Sequence, residues 1–222
     1  MDYKNLSILG TSHIARQSLE QVKATIEAYK PEILALELDK RRLITLFSKQ
    51  THKPHYGMIK EIGIQGFIFN LIGAYVEKKL GKMVGVKPGS EMKLAYQIAQ
   101  QKKLRVALID QKIEITLRNF SKEFTWKEKF RFLFDILKGM IVRKSPIKID
   151  LTKVPEEKVI IEMIKHVKKR YPNFYKVLVE DRNKVMANNL AALMRMFPEK
   201  KILAVMGAGH EKELLDMIKQ KV

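Results

Sequence analysis

The chain contains no cysteine. Disulfides, thiolate nucleophiles and cysteine-bound zinc are therefore excluded, and the composition suits a reducing compartment. It also lacks an apolar run of the roughly 18 residues that a membrane-spanning helix needs. The nearest stretch, "IGIQGFIFNLIGAYV" (62–76), is broken by three glycines, Gln65 and Asn70, and "FRFLFDILKGMIV" (130–142) carries Arg131, Asp135 and Lys138. The opening "MDYKNLSILG" has neither the basic segment nor the long apolar core of a secretion signal. No low-complexity segment and no RGG, RNP1 or zinc-knuckle pattern is found. These absences predict a cytoplasmic protein with no transmembrane helix, associated with membranes only through its surface.

Acidic residues are scarce: 24 Asp and Glu face 43 Lys and Arg, for a net charge of +19. Such a field favours anionic partners. The surplus is spread along the chain, however, with only fourteen bases against seven acids in residues 121–170. That dispersion argues against nucleic acid and leaves an acidic ligand or an anionic membrane surface. The two apolar stretches also suit a homodimer formed through apolar helices.

Four short apolar segments read as strands: "LSILG" (6–10), "EILALELD" (32–39), "LRVALID" (104–110) and "KILAVMG" (201–207). Continuous apolar strands suit a parallel sheet covered on both faces. Helical patterns separate them. "ARQSLEQVKATIEAYK" (15–30) sets Leu19, Val22, Ile26 and Tyr29 on one stripe. "GSEMKLAYQIAQQKK" (89–103) opens with a helix-start signal, "NFYKVLVEDRNKVMANNLAALMRMF" (173–197) is long and periodic with core Met and Leu from 185 on, and "EKELLDMIKQ" (211–220) ends the chain. The prediction is an α/β fold: one domain over 1–222, a mostly parallel central sheet flanked by helices, and helical excursions at about 57–80 and 120–170. The second excursion could form a helical subdomain, with "KSPIKIDLTKVPEEK" (144–158) as a loop between its helices.

In such a sheet, functional groups collect beyond the carboxyl ends of the strands. Here those ends carry His13 in "GTSH", Glu37 in "LALEL", Asp110, and His210 in "GAGH". The two Gly-x-x-His segments follow strands about 200 residues apart. Each glycine is expected to let the chain turn sharply, and each histidine to sit at a helix N-terminus, whose partial positive charge favours the neutral imidazole that binds metal or accepts a proton. A carboxylate flanked by leucines must be paired, metal-bound or facing a cleft. Histidines with a carboxylate suit Mn²⁺, Co²⁺, Fe²⁺ or Zn²⁺. The residues equally allow ordinary helix caps and a structural ion pair. Arg118 and Arg182 are candidates to clamp an anion or carboxylate. His52 and His55 read as a surface loop, and His166 as an exposed or half-buried helical residue.

Taken in order, "GTSHI", "LELDKRR", "KPGSEMKLAYQIA", "ALIDQKIEITLRNF", "EDRNKVMANNL" and "VMGAGH" resemble the TraB/PrgY family, of one superfamily with the Tiki proteins. The resemblance implies a metal-dependent protease of short peptides, with a divalent ion held by His13, His210 and Glu37. It also implies a role in shutting down a peptide signal by degrading, blocking or sequestering it. Glu37, Arg118 and Arg182 then become catalytic candidates, and Arg42, Glu91, Asp110 and Asp181 substrate-binding ones. Two departures stand out: Asp181-Arg182-Asn183 where the family often has Glu-Arg-Asp or Glu-Arg-Asn, and Asp110-Gln111 where it usually has Asp-Arg. They weaken substrate anchoring more than metal binding. A non-catalytic protein that sequesters peptides, or binds a membrane surface, through the same cleft and basic surface is the competing expectation.

Overall fold

The computed structural model describes residues 1–11, 16–48, 60, 63, 67, 89–141 and 157–222. In chain order these form β1 (Asp2–Tyr3), β2 (Leu6–Thr11), α1 (Arg16–Tyr29), β3 (Ile33–Leu36), α2 (Lys40–Phe47), α3 (Ser90–Gln101), β4 (Arg105–Leu108), α4 (Ile113–Glu123), α5 (Trp126–Ile141), α6 (Glu157–Arg170), α7 (Pro172–Tyr175), a π-helical turn (Lys176–Glu180), α8 (Asp181–Met196), β5 (Ile202–Gly207) and α9 (Glu211–Lys219).

The sheet order is β1-β2-β5-β3-β4. The four expected strands are all present and mutually parallel, and β1 adds a two-residue antiparallel edge that the sequence reading did not contain. Strand residues alternate between two buried faces. Ile33, Ala35, Ile202, Ala204 and Met206 join the core under α8 and α9. Leu34, Leu36, Leu203 and Val205 join the core under α1 and α3. Both faces being covered explains why these strands lack polar alternation. The fold is α/β, as expected.

Helix burial follows the predicted stripes. Val22 and Ile26 are buried on α1, with Leu19 and Tyr29 half-buried. On α8, Met186, Leu190 and Met194 are core, but Met196 is exposed because it lies off that stripe in the last turn. Gly89 precedes α3 in the left-handed region (φ 77), a conformation glycine adopts without steric cost. The 173–197 segment is not one α-helix: the π-helical turn at Lys176–Glu180 splits it. Helices α4 and α5 meet α7 and the π turn through Phe120, Phe124, Phe132, Phe174 and Val177. Asp135 of α5 receives the Arg170 guanidinium and the Tyr171 hydroxyl, joining α5 to the end of α6. The 57–80 excursion apart from residues 60, 63 and 67, the 144–158 loop except for its last two residues, and His52 and His55 lie outside the described residues. His166 is exposed on α6, as expected. No helix among the described residues is long and apolar enough to cross a membrane.

Candidate functional site

Topology brings the sequence-distant residues to one edge. Glu37 follows β3, Asp110 lies two residues beyond β4, and His210 three beyond β5. Because β5 lies between β2 and β3, both Gly-x-x-His segments leave adjacent parallel strands, with Gly10 opposite Met206 and Thr11 opposite Gly207. His13 itself lies outside the described residues.

The motif glycines serve a purpose other than the expected one. Neither Gly10 nor Gly207 has a positive φ, and Gly10 is still within β2. Gly10 provides close approach instead. Its N–H donates to Glu211 Oε1 at 2.9 Å, and a Cβ there would collide with the Glu211 carboxylate and lie 2.9 Å from Ala208 Cα. The N–H of Gly207 donates to Glu37 Oε2 at 2.6 Å. Glu211, after the β5 exit, thus ties into β2, and Glu37, after β3, ties into the end of β5.

Glu37 is 4% exposed and Asp110 8%. Burial of two carboxylates requires compensation, and Arg182, from the first turn of α8, supplies it. Its Nη2 donates to Glu37 Oε1 and, at 2.6 Å, to Asp110 Oδ2, while Nε donates to Asp110 Oδ1 at 3.1 Å and Nη1 to the Leu178 carbonyl at 3.2 Å. Desolvation works against the Arg182 charge, but attraction from Glu37 and Asp110 outweighs it, so its pKa is raised above the usual arginine value. Arg42 also donates to Asp110 Oδ2, and its Nε donates to Asp39 Oδ2 at 2.8 Å. Asp39 in turn caps α2, accepting from Arg41 N at 2.7 Å and Arg42 N at 3.0 Å. Asp110 is therefore held between two guanidiniums and the Gln111 N–H, 2.7 Å from Oδ1.

His210 occupies the N-cap position of α9, as its place after the strand suggested. The ring is buried. Nδ1 lies 2.6 Å from Asn183 Oδ1, and Nε2 lies 3.4 Å from Glu37 Oε1. Asn183 Nδ2 donates to Glu213 Oε2 at 3.2 Å, and an ionised carboxylate only accepts. The amide oxygen must then face the histidine, which makes Nδ1 the donor.

The other predicted residues lie on helices. Glu91 is 1% exposed in the first turn of α3. Asp181 is half-buried and faces Lys184, 3.5 Å away on its own helix. Arg118 is exposed on α4, whereas only 14% of the Arg182 side chain is exposed. Gln111, at the family's usual arginine position, is buried and donates to Thr116 Oγ1 at 2.9 Å. Sequence reasoning did not single out Asn183, Glu211, Glu213 or Tyr175. The signal for the first three was adjacency: each lies within three residues of a motif residue. Tyr175 carried none.

Among the described residues no group of three or more His, Asp or Glu stands ready to hold a metal. The donors in reach of a common point are His210 Nε2 and Glu37 Oε1.

Comparison with known proteins agrees with this picture. The chain is 34% identical over 220 residues to the Methanocaldococcus jannaschii protein named "Uncharacterized protein MJ1365", covering 97% of this chain and 54% of that protein. TraB domain-containing proteins of Bos taurus and Homo sapiens are 20% and 19% identical over 194 residues, covering 82% of this chain and 50% of each relative. The chain thus spans about half the length of the curated relatives it matches. A family match running from residue 2 to residue 221, across the whole sheet and the residues gathered at its edge, places the chain in the TraB/PrgY/gumN family.

Proposed function

We propose that the chain is a metal-dependent hydrolase of short peptides, acting at the carboxyl edge of its sheet. One observation carries the reading: His210 Nε2 faces Glu37 Oε1 at 3.4 Å. With Nδ1 donating to Asn183, Nε2 is the ring atom left facing a carboxylate oxygen, and an imidazole nitrogen beside a carboxylate is a donor pair that suits a divalent ion. Two donors of a tetrahedral ion bound at about 2.1 Å lie roughly 3.4 Å apart, so this pair fits one edge of such a site. His13 would be the third donor, and the pairing of Thr11 with Gly207 supports it by starting both turns side by side. His and carboxylate donors suit Mn²⁺, Co²⁺, Fe²⁺ or Zn²⁺.

When bound, the ion would acidify a water and polarise the scissile carbonyl. The chain's own residues do the rest. His210 and Glu37 Oε1 hold the ion. Arg182 pairs with Glu37 and aims it, while Asp110, itself held by Arg42, anchors Arg182 from behind. Glu91, Asp181 and Arg118 are left to contact the peptide around this centre.

Metal analysis of the purified protein after dialysis against these ions tests the reading. Wild type retains about one ion per chain, and His13→Ala and His210→Ala lose it. Equal, negligible content in all three refutes it. Mass spectrometry of a peptide mixture then separates the roles: metal-dependent cleavage absent in Glu37→Gln supports hydrolysis, and stoichiometric capture without products replaces it with sequestration.

A second reading concerns the surface. Trp126, Phe130 and Phe134 are each more than 60% exposed at four-residue spacing on α5. Trp126 and Phe130 rings lie 6.1 Å apart, with Lys129 Nζ 4.4 Å from the indole centroid and Lys127 exposed beside them. Aromatic rings edged by lysines on a +19 chain suit an anionic bilayer surface. Sedimentation with phosphatidylserine vesicles should fall with salt and with Trp126→Ser/Phe130→Ser. Binding unchanged by both would remove this reading.

A further inference from the structure

We infer that Tyr175, Glu213 and Asn183 form a relay that orients the His210 ring with Nδ1 as its donor to Asn183, with Asn183 as the positioning residue against the ring. The importance of that orientation for catalysis rests on the function proposed above; the relay itself does not. Asn183 and Tyr175 are 0% and 1% exposed, so neither side chain can exchange its partner for water. Tyr175 Oη donates to Glu213 Oε1 at 2.7 Å, Asn183 Nδ2 donates to Glu213 Oε2 at 3.2 Å, and Asn183 Oδ1 accepts from His210 Nδ1 at 2.6 Å. Each link sets the direction of the next. The carboxylate has no proton to give, so it fixes the amide, and the amide oxygen fixes the ring. Rotating the amide would set Oδ1 against Glu213 and an N–H against Nδ1, leaving two like pairs in a buried place. Lys168 Nζ lies 3.7 Å from Glu213 Oε1.

The π-helical turn makes the relay geometrically available. On an uninterrupted α-helix at about 100° per residue, positions 175 and 183 would differ by roughly 80° in heading. The turn at Lys176–Glu180 absorbs one extra residue, which brings the two headings to within about 20°. Both side chains then reach the same carboxylate on α9. The same turn leaves the Leu178 carbonyl in reach of Arg182. One helical irregularity therefore sets the partners of both Glu37 and His210. Ring nitrogens that serve as ligands are generally oriented by such a contact on the opposite nitrogen. Here the result is that Nε2 is the ring nitrogen facing Glu37, 3.4 Å from Oε1.

The experiment is ¹⁵N spectroscopy of the histidine ring in the full chain, freed of metal by chelation. The His210 signals are identified by their loss in His210→Gln. Wild type is expected to carry a proton on Nδ1, read as a one-bond ¹⁵N–¹H coupling. Asn183→Leu, which removes the acceptor at similar volume, is expected to lose that coupling to exchange. An Nδ1 without a proton in wild type, or an unchanged spectrum in folded Asn183→Leu, overturns the inference. If Asn183→Leu does not fold, the wild-type spectrum decides alone. The two proposals fail separately. A protonated Nδ1 in a protein that neither retains metal nor cleaves peptides keeps the relay and removes the hydrolase. An Nδ1 without a proton in an active metalloprotein does the reverse.

Discussion

Replacing Gly10 by alanine should destabilise the protein, although the same change in an ordinary strand would stabilise it. Within a strand glycine costs about 0.5–1 kcal/mol relative to alanine. At Gly10 that gain is overturned by two collisions. One is with the Glu211 carboxylate, and the other is with Ala208 Cα at 2.9 Å. The carboxylate can rotate away, but only by giving up its hydrogen bond from the Gly10 N–H. A bond to a charged acceptor is worth about 1.5–3 kcal/mol. The Ala208 backbone cannot rotate away, and forcing an extra methyl against packed backbone costs about 1–3 kcal/mol. The net loss is about 2–5 kcal/mol, read as a lower denaturation midpoint in urea at unchanged slope. A double-mutant cycle with Glu211→Ala separates the two collisions. With the carboxylate gone, the penalty for adding the methyl should shrink by about 1–3 kcal/mol, the coupling expected of side chains in contact. Equal or greater stability of Gly10→Ala would refute the view that this glycine exists to admit Glu211, and would return it to the role of an ordinary turn residue.

Arg182→Met should cost about 3–5 kcal/mol in the same assay, because it strips the guanidinium from buried Glu37; a loss below about 1 kcal/mol would contradict the geometry of the net. Leu190→Ala, at a position 0% exposed between the sheet and α8, should cost about 2–5 kcal/mol, and a change within 0.5 kcal/mol would deny that core. Burial and the bond to Glu213 raise the Tyr175 pKa above its usual 10.0. The folded state then holds the phenolic proton more tightly than the unfolded chain, so stability declines as pH rises past 10. Tyr175→Phe should be less stable than wild type near neutrality and decline less steeply above pH 10, as followed by urea midpoints. A parallel decline in both would show that Tyr175 makes no special contribution.

Much of the fold was legible because the strands are short, apolar and bounded by charge or glycine. Apolar runs located β2, β3, β4 and β5, and periodicity located α1, α3, α8 and α9, whereas α2 (Lys40–Phe47) was not among the predicted helices. Periodicity could not anticipate β1, whose two residues are too few to carry a period, nor the π turn, since an extra residue in a helix leaves an apolar stripe nearly intact. The site was legible in part. Glu37 declared itself as a carboxylate among leucines, and His210 as the sequel to a strand. Arg182 was visible only as a candidate clamp, while its pairing with both Glu37 and Asp110 depends on strands 145 and 72 positions away in the chain. Asn183 and Glu213 carried only their adjacency to Arg182 and His210, and Tyr175 was silent because tyrosines on helices are usually ordinary core residues.

By itself, then, the sequence determined the class of fold, the four strand segments and the identity of the groups at their ends, because these follow from local hydrophobicity and chain order. What only the tertiary structure decided is which groups meet. Placing β5 between β2 and β3 sets Thr11 opposite Gly207 at the strand ends and turns His210 toward Glu37. The strand order is a global outcome of packing two helical layers on one sheet, and no stretch of the chain carries it locally.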